Sequence, residues 1–231
     1  MTTPARGAVG VIVALVVLAL LWLAWIAAQI AWYRYKPPRE TAFMAQRMEE
    51  ARAKSSSPIQ QYRFVPYERI STHLKRAMIA AEDARFAEHG GFDWEGMQKA
   101  MEKNRQKGRV VAGGSTITQQ LAKNLFLSPA KSYWRKAEEA VITVLLEAML
   151  PKQRIFELYL NVIEWGNGVF GAEAAAQRYF RVTAAELSAE QAARLAAMAP
   201  SPRRFERNPD SAYLDGRVAT LLGRMPAASL P

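Results

Sequence analysis

The chain contains no cysteine. Disulfides, thiolate metal sites and cysteine nucleophiles are therefore excluded together. Histidine is nearly absent: His73 and His89 are the only two, which rules out a His-rich metal centre. No internal repeat recurs, and no useful length of sequence alternates apolar and polar residues with a period of two. Charge is missing altogether between Gly7 and Tyr33.

That uncharged run is long enough, at about 1.5 Å per residue, to cross a hydrocarbon core roughly 30 Å thick. Its one strongly polar member is Gln29, and Trp22, Trp25, Trp32 and Tyr33 suit the membrane interfaces. A cleaved signal peptide has an apolar core of about 7 to 15 residues before a small-residue site, so a retained single-pass anchor is the expectation. Flank charges argue against export of the chain beyond the anchor. Arg6 precedes the run, whereas Arg34, Lys36 and Arg39 come after it. Of the 31 basic residues only Arg6 lies before the anchor, and all 21 acidic residues lie beyond it, which leaves that part at +9. An anionic partner is implied: nucleic acid, an anionic membrane surface or a phosphorylated substrate. Beside a bilayer the last two come first, and nucleic acid has no motif behind it.

Three segments divide the chain: a tail and transmembrane anchor over 1–36, a polar juxtamembrane connector over 37–61 that starts at Pro37-Pro38 and includes Ser55-Ser56-Ser57-Pro58, and a domain over 62–231. The domain's pattern is helical. Ser71 or Thr72 caps a helix with Leu74, Met78 and Ala81 on one face, Thr116 with Gln119 and Ser188 with Gln191 form capping boxes, and Ser132 opens a helix ended by Pro151. A further helix runs from about Lys152 to Ile163, and Pro200 stops the helix begun at Ser188. The fold class is mainly α, with eight or nine helices.

Four segments carry candidate chemistry. Glu82 ends the apolar helix, where lost solvation raises a carboxyl pKa and makes a better base; if the helix continued, Phe86 and His89 would share its side. The plainer reading makes Glu82 and Asp83 solvated helix-end residues and puts Phe86 in the core. Gly113-Gly114-Ser115-Thr116 leads into a helix whose first amides are free for an anion, and Lys123, seven residues beyond Thr116, adds a charge to that face. The alternative is an ordinary capped helix, and no GxxxxGK[ST] loop is present. Arg135 and Glu139 have the spacing of a surface ion pair, but with the base first, the poorer order. Arg135 and Lys136 also oppose the dipole at their helix start, whereas phosphate oxygens would suit them. The fourth segment, Lys152 to Asn161, reads mainly as structure, with Ile155, Leu158 and Tyr159 in a buried stripe.

Taken in this order, the segments resemble the five motifs of the peptidoglycan glycosyltransferase family, the glycosyltransferase domain of class A penicillin-binding proteins. Glu82-Asp83-x-x-Phe86-x-x-His89-x-Gly91 is similar to the first, Gly113-Gly114-Ser115-Thr116-Ile117-x-Gln119-Gln120 to the second and Arg135-Lys136-x-x-Glu139 to the third. Lys152-x-x-Ile155-x-Glu157-x-Tyr159-Leu160-Asn161 is similar to the fourth, with Phe156 where leucine is common. Leu195 to Pro202 with Asn208-Pro209 approximates the fifth, loosely between Pro202 and Asn208. The chain ends soon afterwards, without room for a transpeptidase domain, so the resemblance is to the monofunctional biosynthetic transglycosylases.

The resemblance implies a lysozyme-like helical head with a smaller membrane-adjacent lobe and a cleft between them. It implies inverting polymerisation of lipid II into β-1,4-linked glycan with release of undecaprenyl diphosphate, on the periplasmic side of the inner membrane. Glu82 corresponds to the catalytic base and Glu139 to the second catalytic carboxylate, which acts directly or through a divalent cation such as Mg or Mn. Lys123, Arg135 and Lys136 match phosphate-contacting positions. Asp83, Phe86, Ser115, Thr116, Gln119 and Gln120 fall in the substrate-binding motifs. Expected partners are lipid II, the growing lipid-linked glycan, the membrane and cell-division or wall-synthesis proteins. A glycan-cleaving lytic transglycosylase, or a tethered scaffold that binds wall precursors without turnover, are the rival readings. The cationic positions speak against the first, and the two matching carboxylates against the second.

Overall fold

The computed structural model describes residues 3–54, 60–109, 113–128 and 132–231, with side chains from Val9 onward. The Ser55-Ser56-Ser57-Pro58 stretch read as connector and the flank charge at Arg6 fall outside this description.

The uncharged run forms α1 (Thr3–Tyr33), and residues Val9–Tyr33 are long and apolar enough to cross a membrane. Most side chains in its first half, from Val9 to Leu21, are exposed, as a lipid-facing helix requires, whereas Ile26 and Ile30 are fully buried against the domain. The helix exit is tied down. Arg154 donates through Nε to the Tyr33 carbonyl at 2.7 Å and through Nη2 to the Lys36 carbonyl at 3.1 Å. Arg34 donates to the Met149 carbonyl at 3.0 Å, and Tyr62 donates to the Pro38 carbonyl at 2.7 Å. These contacts satisfy carbonyls that a helix end leaves open. The segment expected to be a connector is thus folded in part: α2 (Ala42–Ala53), capped by Thr41, buries Met44 and packs on a later helix. Arg154→Ala should leave the Tyr33 and Lys36 carbonyls without this donor, and amide hydrogen exchange at Arg34 to Lys36 should speed by about 5- to 150-fold, from about 1–3 kcal/mol of lost bonding.

Nine helices follow among the described residues: α3 (Thr72–Glu82), α4 (Trp94–Lys107), α5 (Ile117–Phe126), α6 (Tyr133–Met149), α7 (Lys152–Val162), α8 (Ala172–Phe180), α9 (Ala189–Met198), α10 (Pro202–Arg207) and α11 (Ala212–Arg224). Both capping boxes, the Ser132 cap and the stops before Pro151 and Pro200 are present. The mainly-α expectation holds, with one addition. Strands β1 (Gln61–Tyr62), β2 (Glu164–Gly166) and β3 (Val169–Phe170) form a sheet in the order β1-β3-β2. β1 runs parallel to β3 with Gln61 opposite Val169, and β2 antiparallel with Glu164 opposite Phe170. Two or three residues are too few to display alternation, which hid these strands from the sequence pattern.

The core is where α3 meets α9 and α5 meets α6 and α7. Leu74, Met78, Leu121, Ile142, Phe156 and Leu195 are among its fully buried members. Asn161, on the last turn of α7, is buried because its amide grips the Val65 backbone, accepting at 2.9 Å and donating at 2.9 Å. Gly171 packs so closely on that turn that a Cβ would lie 2.4 Å from the Asn161 carbonyl oxygen, and its φ of 83° also requires glycine. The structural reading of the Lys152–Asn161 segment therefore holds: it buries a stripe and pins the anchor.

Candidate active site

Glu82 is the last residue of α3, and packing of Leu74 and Met78 fixes that helix's end. The helix does not continue. Asp83 leaves helical geometry at φ −160°, so Phe86 and His89 reach their places through a turn rather than along one face. Asp83 is 6% exposed; its Oδ2 accepts the Ile117 amide at 3.0 Å, and its carboxylate contacts His89 Nε2 at 3.0 Å. Asp83 thereby joins the end of α3 to the start of α5 and lies at the positive end of the α5 dipole.

This overturns one expectation. Two of the first three amides of α5 are already taken: Asp83 accepts that of Ile117, and the Thr116 hydroxyl accepts that of Gln119 at 3.2 Å. Gln119 in turn accepts the Thr116 amide at 3.0 Å, and the Thr116 hydroxyl donates to the Gly91 carbonyl at 2.7 Å. Asp83, Thr116 and Gln119, expected to bind substrate, are buried parts of the frame, and Asp83 and Thr116 also line a small recess shared with Glu82 and Ser115. Phe86 is buried as well. Its ring is fully buried, 5.4 Å from Phe156 and under the Lys152 ammonium at 4.4 Å, as the plainer reading of that segment has it.

Above the frame lies a cavity of about 770 Å³. Glu82, Ser115 and Gln120 line it together with Lys103, Arg204 and Arg217. The volume is within the usual range for ligand sites, roughly 300–1,000 Å³. Gln120 donates from Nε2 to Glu82 Oε2 at 2.8 Å, and its Oε1 accepts the Tyr159 hydroxyl at 3.2 Å. Tyr159 thus fixes which end of the amide faces Glu82. Burial pushes the Tyr159 hydroxyl well above its ordinary range, which keeps it a neutral donor. Burial likewise raises Glu82 above the usual carboxylate range, against the opposing pull of the Gln120 hydrogen bond and the charges of Arg217 and Lys123. The half-buried carboxylate is the arrangement expected of a base near neutral pH.

A second group lies beside Ser115. Glu139, 3% exposed on α6, accepts Arg135 Nη1 at 2.9 Å through one oxygen and pairs with Lys136 through the other. Lys136 also reaches the Ser115 hydroxyl at 3.4 Å. The ion pair offered by the Arg135–Glu139 spacing exists, but it is buried on the acidic side rather than at the surface. Lys123 is half-buried, and its ammonium makes neither a hydrogen bond nor an ion pair among the described residues. Burial lowers its pKa first of all; Glu139 and Glu82 raise it, and Arg135 and Lys136 lower it. Lys123 is therefore within the electrostatic reach of both carboxylates, and the contact of Lys136 with Ser115, which lines the cavity, ties the Glu139 group to it. The donors do not fit a divalent ion held by the protein alone: both oxygens of Glu139 are paired with cations, and no cluster of three Asp, Glu, His or Cys side chains occurs among the described residues.

Sequence reasoning missed Arg217, Arg204 and Lys103 as cavity lining, and placed Tyr159 only in a buried stripe. Arg217 comes from α11, far along the chain from Glu82, so no local spacing announces it. The Tyr159 hydroxyl could have been flagged, because a fully buried phenol needs a partner.

A family profile described as Transglycosylase matches residues 46–226. The chain belongs to the transglycosylase family. The matched span contains every cavity and cation-cluster residue named above. This transglycosylase is 64% identical over 194 residues to a biosynthetic peptidoglycan transglycosylase of Dechloromonas aromatica, covering 84% of each chain. It is 54% identical over 231 residues to the protein of that name from Aromatoleum aromaticum, across 100% of both chains. A third so named, from Nitrosospira multiformis, is 56% identical over 204 residues, which cover 88% of this chain and 89% of the relative. The transglycosylase is an enzyme of the glycosyltransferase class.

Proposed function

We propose that this transglycosylase polymerises peptidoglycan glycan strands from lipid II, joining it to a growing lipid-linked strand and releasing undecaprenyl diphosphate. The observation that carries this reading is a half-buried carboxylate, Glu82, held by Gln120 in a large cavity, with the Arg135–Lys136–Glu139 group tied to that cavity by the contact of Lys136 with Ser115. Glu82 takes the proton of the acceptor's 4-hydroxyl as that oxygen attacks the donor's anomeric carbon. The bond from that carbon to the diphosphate oxygen breaks, and its electron pair leaves with the diphosphate. An α-linked donor that yields a β-linked product must invert, which places the base and the leaving group on opposite faces of the sugar.

The leaving group is already anionic and needs positive charge more than an acid. Lys123, Arg135 and Lys136 supply it. Arriving phosphate oxygens give Lys123 the counter-charge that its surroundings lack, while Glu139 keeps Arg135 and Lys136 in place before and after departure. With α1 embedded, the cavity lies beside the bilayer in which the polyprenyl chain is dissolved, and polymerisation on the outer face of the membrane requires the domain on the periplasmic side of the inner membrane. Relatives named for peptidoglycan over nearly their whole length support the substrate class.

The deciding experiment is turnover by the purified full chain in detergent. Labelled lipid II should be converted into glycan polymers resolvable by gel. Binding without polymer, or digestion of purified cell wall, would point to a scaffold or a lytic enzyme and overturn the proposal.

A further inference from the structure

A second recess lies where α1 leaves the membrane, and it shares no lining residue with the cavity around Glu82. It measures about 880 Å³ and is lined by Trp25, Ala28, Gln29, Trp32, Lys36 and Arg39, with Glu40 at its rim. Trp25, Ala28 and Trp32 follow helical spacing on one face of α1, so two indoles flank a small residue and leave an apolar slot roughly 10 Å long. Trp25 and Trp32 are exposed, 59% and 62%, and none of the described residues covers the slot.

Its polar end is equally unfinished. Lys36 and Arg39 are exposed and make no side-chain ion pair among the described residues, whereas their neighbour Arg34 is committed to the Met149 carbonyl. Two cations against the Glu40 carboxylate leave a net charge of +1. That balance suits one phosphodiester, with a single negative charge, better than a diphosphate. Glu40 in addition offers an acceptor to headgroup hydroxyls.

We propose that this recess binds one anionic glycerophospholipid of the phosphatidylglycerol type. An acyl chain runs along Trp25, Ala28 and Trp32, and the phosphate sits between Lys36 and Arg39. This accounts for the anomaly in the flank charges. Basic residues after the anchor disfavour export by the positive-inside rule, and that clause rests on the periplasmic orientation proposed above; lipid binding gives them a use on the outer side. The site itself depends only on α1 being embedded.

The test is native mass spectrometry of the full chain released from nanodiscs with equal phosphatidylglycerol and phosphatidylethanolamine, a measurement that needs no turnover. Wild type should retain one phosphatidylglycerol in preference to phosphatidylethanolamine. Lys36→Gln with Arg39→Gln should reduce that retention by about 30-fold, the sum of two interfacial charges, and Lys36→Arg should preserve it. Trp25→Ala with Trp32→Ala should reduce it independently of charge. Equal retention of the two lipids by wild type, or unchanged retention in the Lys36/Arg39 variant, overturns the proposal. Displacement of phosphatidylglycerol by stoichiometric polyprenyl diphosphate also overturns it and assigns the recess to the reaction's own lipid.

Discussion

Glu82→Gln should lower the rate of glycan polymerisation by about 10²–10⁴-fold, the usual contribution of a positioned general base, with little change in KM for lipid II. Glutamine preserves the shape and an oxygen that can accept from Gln120 Nε2, so the frame around the cavity has no reason to move. The same substitution should raise the melting temperature. Glu82 has a folded pKa above its ordinary value of 4.5, chiefly through burial. Between the unfolded and folded pKa values the native chain holds a proton that the unfolded chain has released, so stability falls as pH rises through that window. At neutral pH the buried carboxylate thus costs stability, and an amide removes that cost. Activity runs in the opposite direction. The acidic limb of kcat/KM should lie above pH 4.5, with the rate rising as Glu82 loses its proton, and the residual activity of Glu82→Gln should lack that limb. Substantial polymerisation by the variant, or an unaltered limb, sinks the base assignment.

The local pattern alone favoured a plain helix-end acid at Glu82, and only the order of the motifs singled it out as the candidate base. Helix limits were legible in the local pattern itself: Thr116 with Gln119 and Ser188 with Gln191 are complete capping signals within four residues, and the structure realises both. Spacing was a poorer guide wherever the backbone changes direction. Extending α3 in thought through Phe86 and His89 put them beside Glu82, yet the chain leaves the helix at Asp83 and buries Phe86 beneath Lys152. Glycines before α5 announced a free helix start without announcing the carboxylate that fills it, since Asp83 lies 34 positions earlier in the sequence. Arg217 was beyond reach for the same reason, being brought to Glu82 by the packing of α11 on α9 and α3.

Asp83 supplies the second large effect, and it separates framing from substrate binding. Asp83→Ala removes the acceptor of the Ile117 amide and the partner of His89 from a nearly sealed site. A buried donor without an acceptor and a helix start without its negative charge together should cost about 2–4 kcal/mol of stability. Denaturant midpoints of the detergent-solubilised chain, followed by tryptophan fluorescence, measure this loss. Asp83→Asn retains an oxygen toward Ile117 but gives up the charge, so roughly 1–2 kcal/mol is expected for it. Both variants should lose kcat, because Glu82 and Gln120 depend on the α3–α5 junction for their alignment, and the asparagine should recover part of that loss. KM should stay near wild type wherever the variant remains folded, since Asp83 does not line the main cavity. A raised KM with undiminished stability would make Asp83 a direct contact of the substrate, and would mean that the amides at the start of α5 are released to the ligand during the reaction.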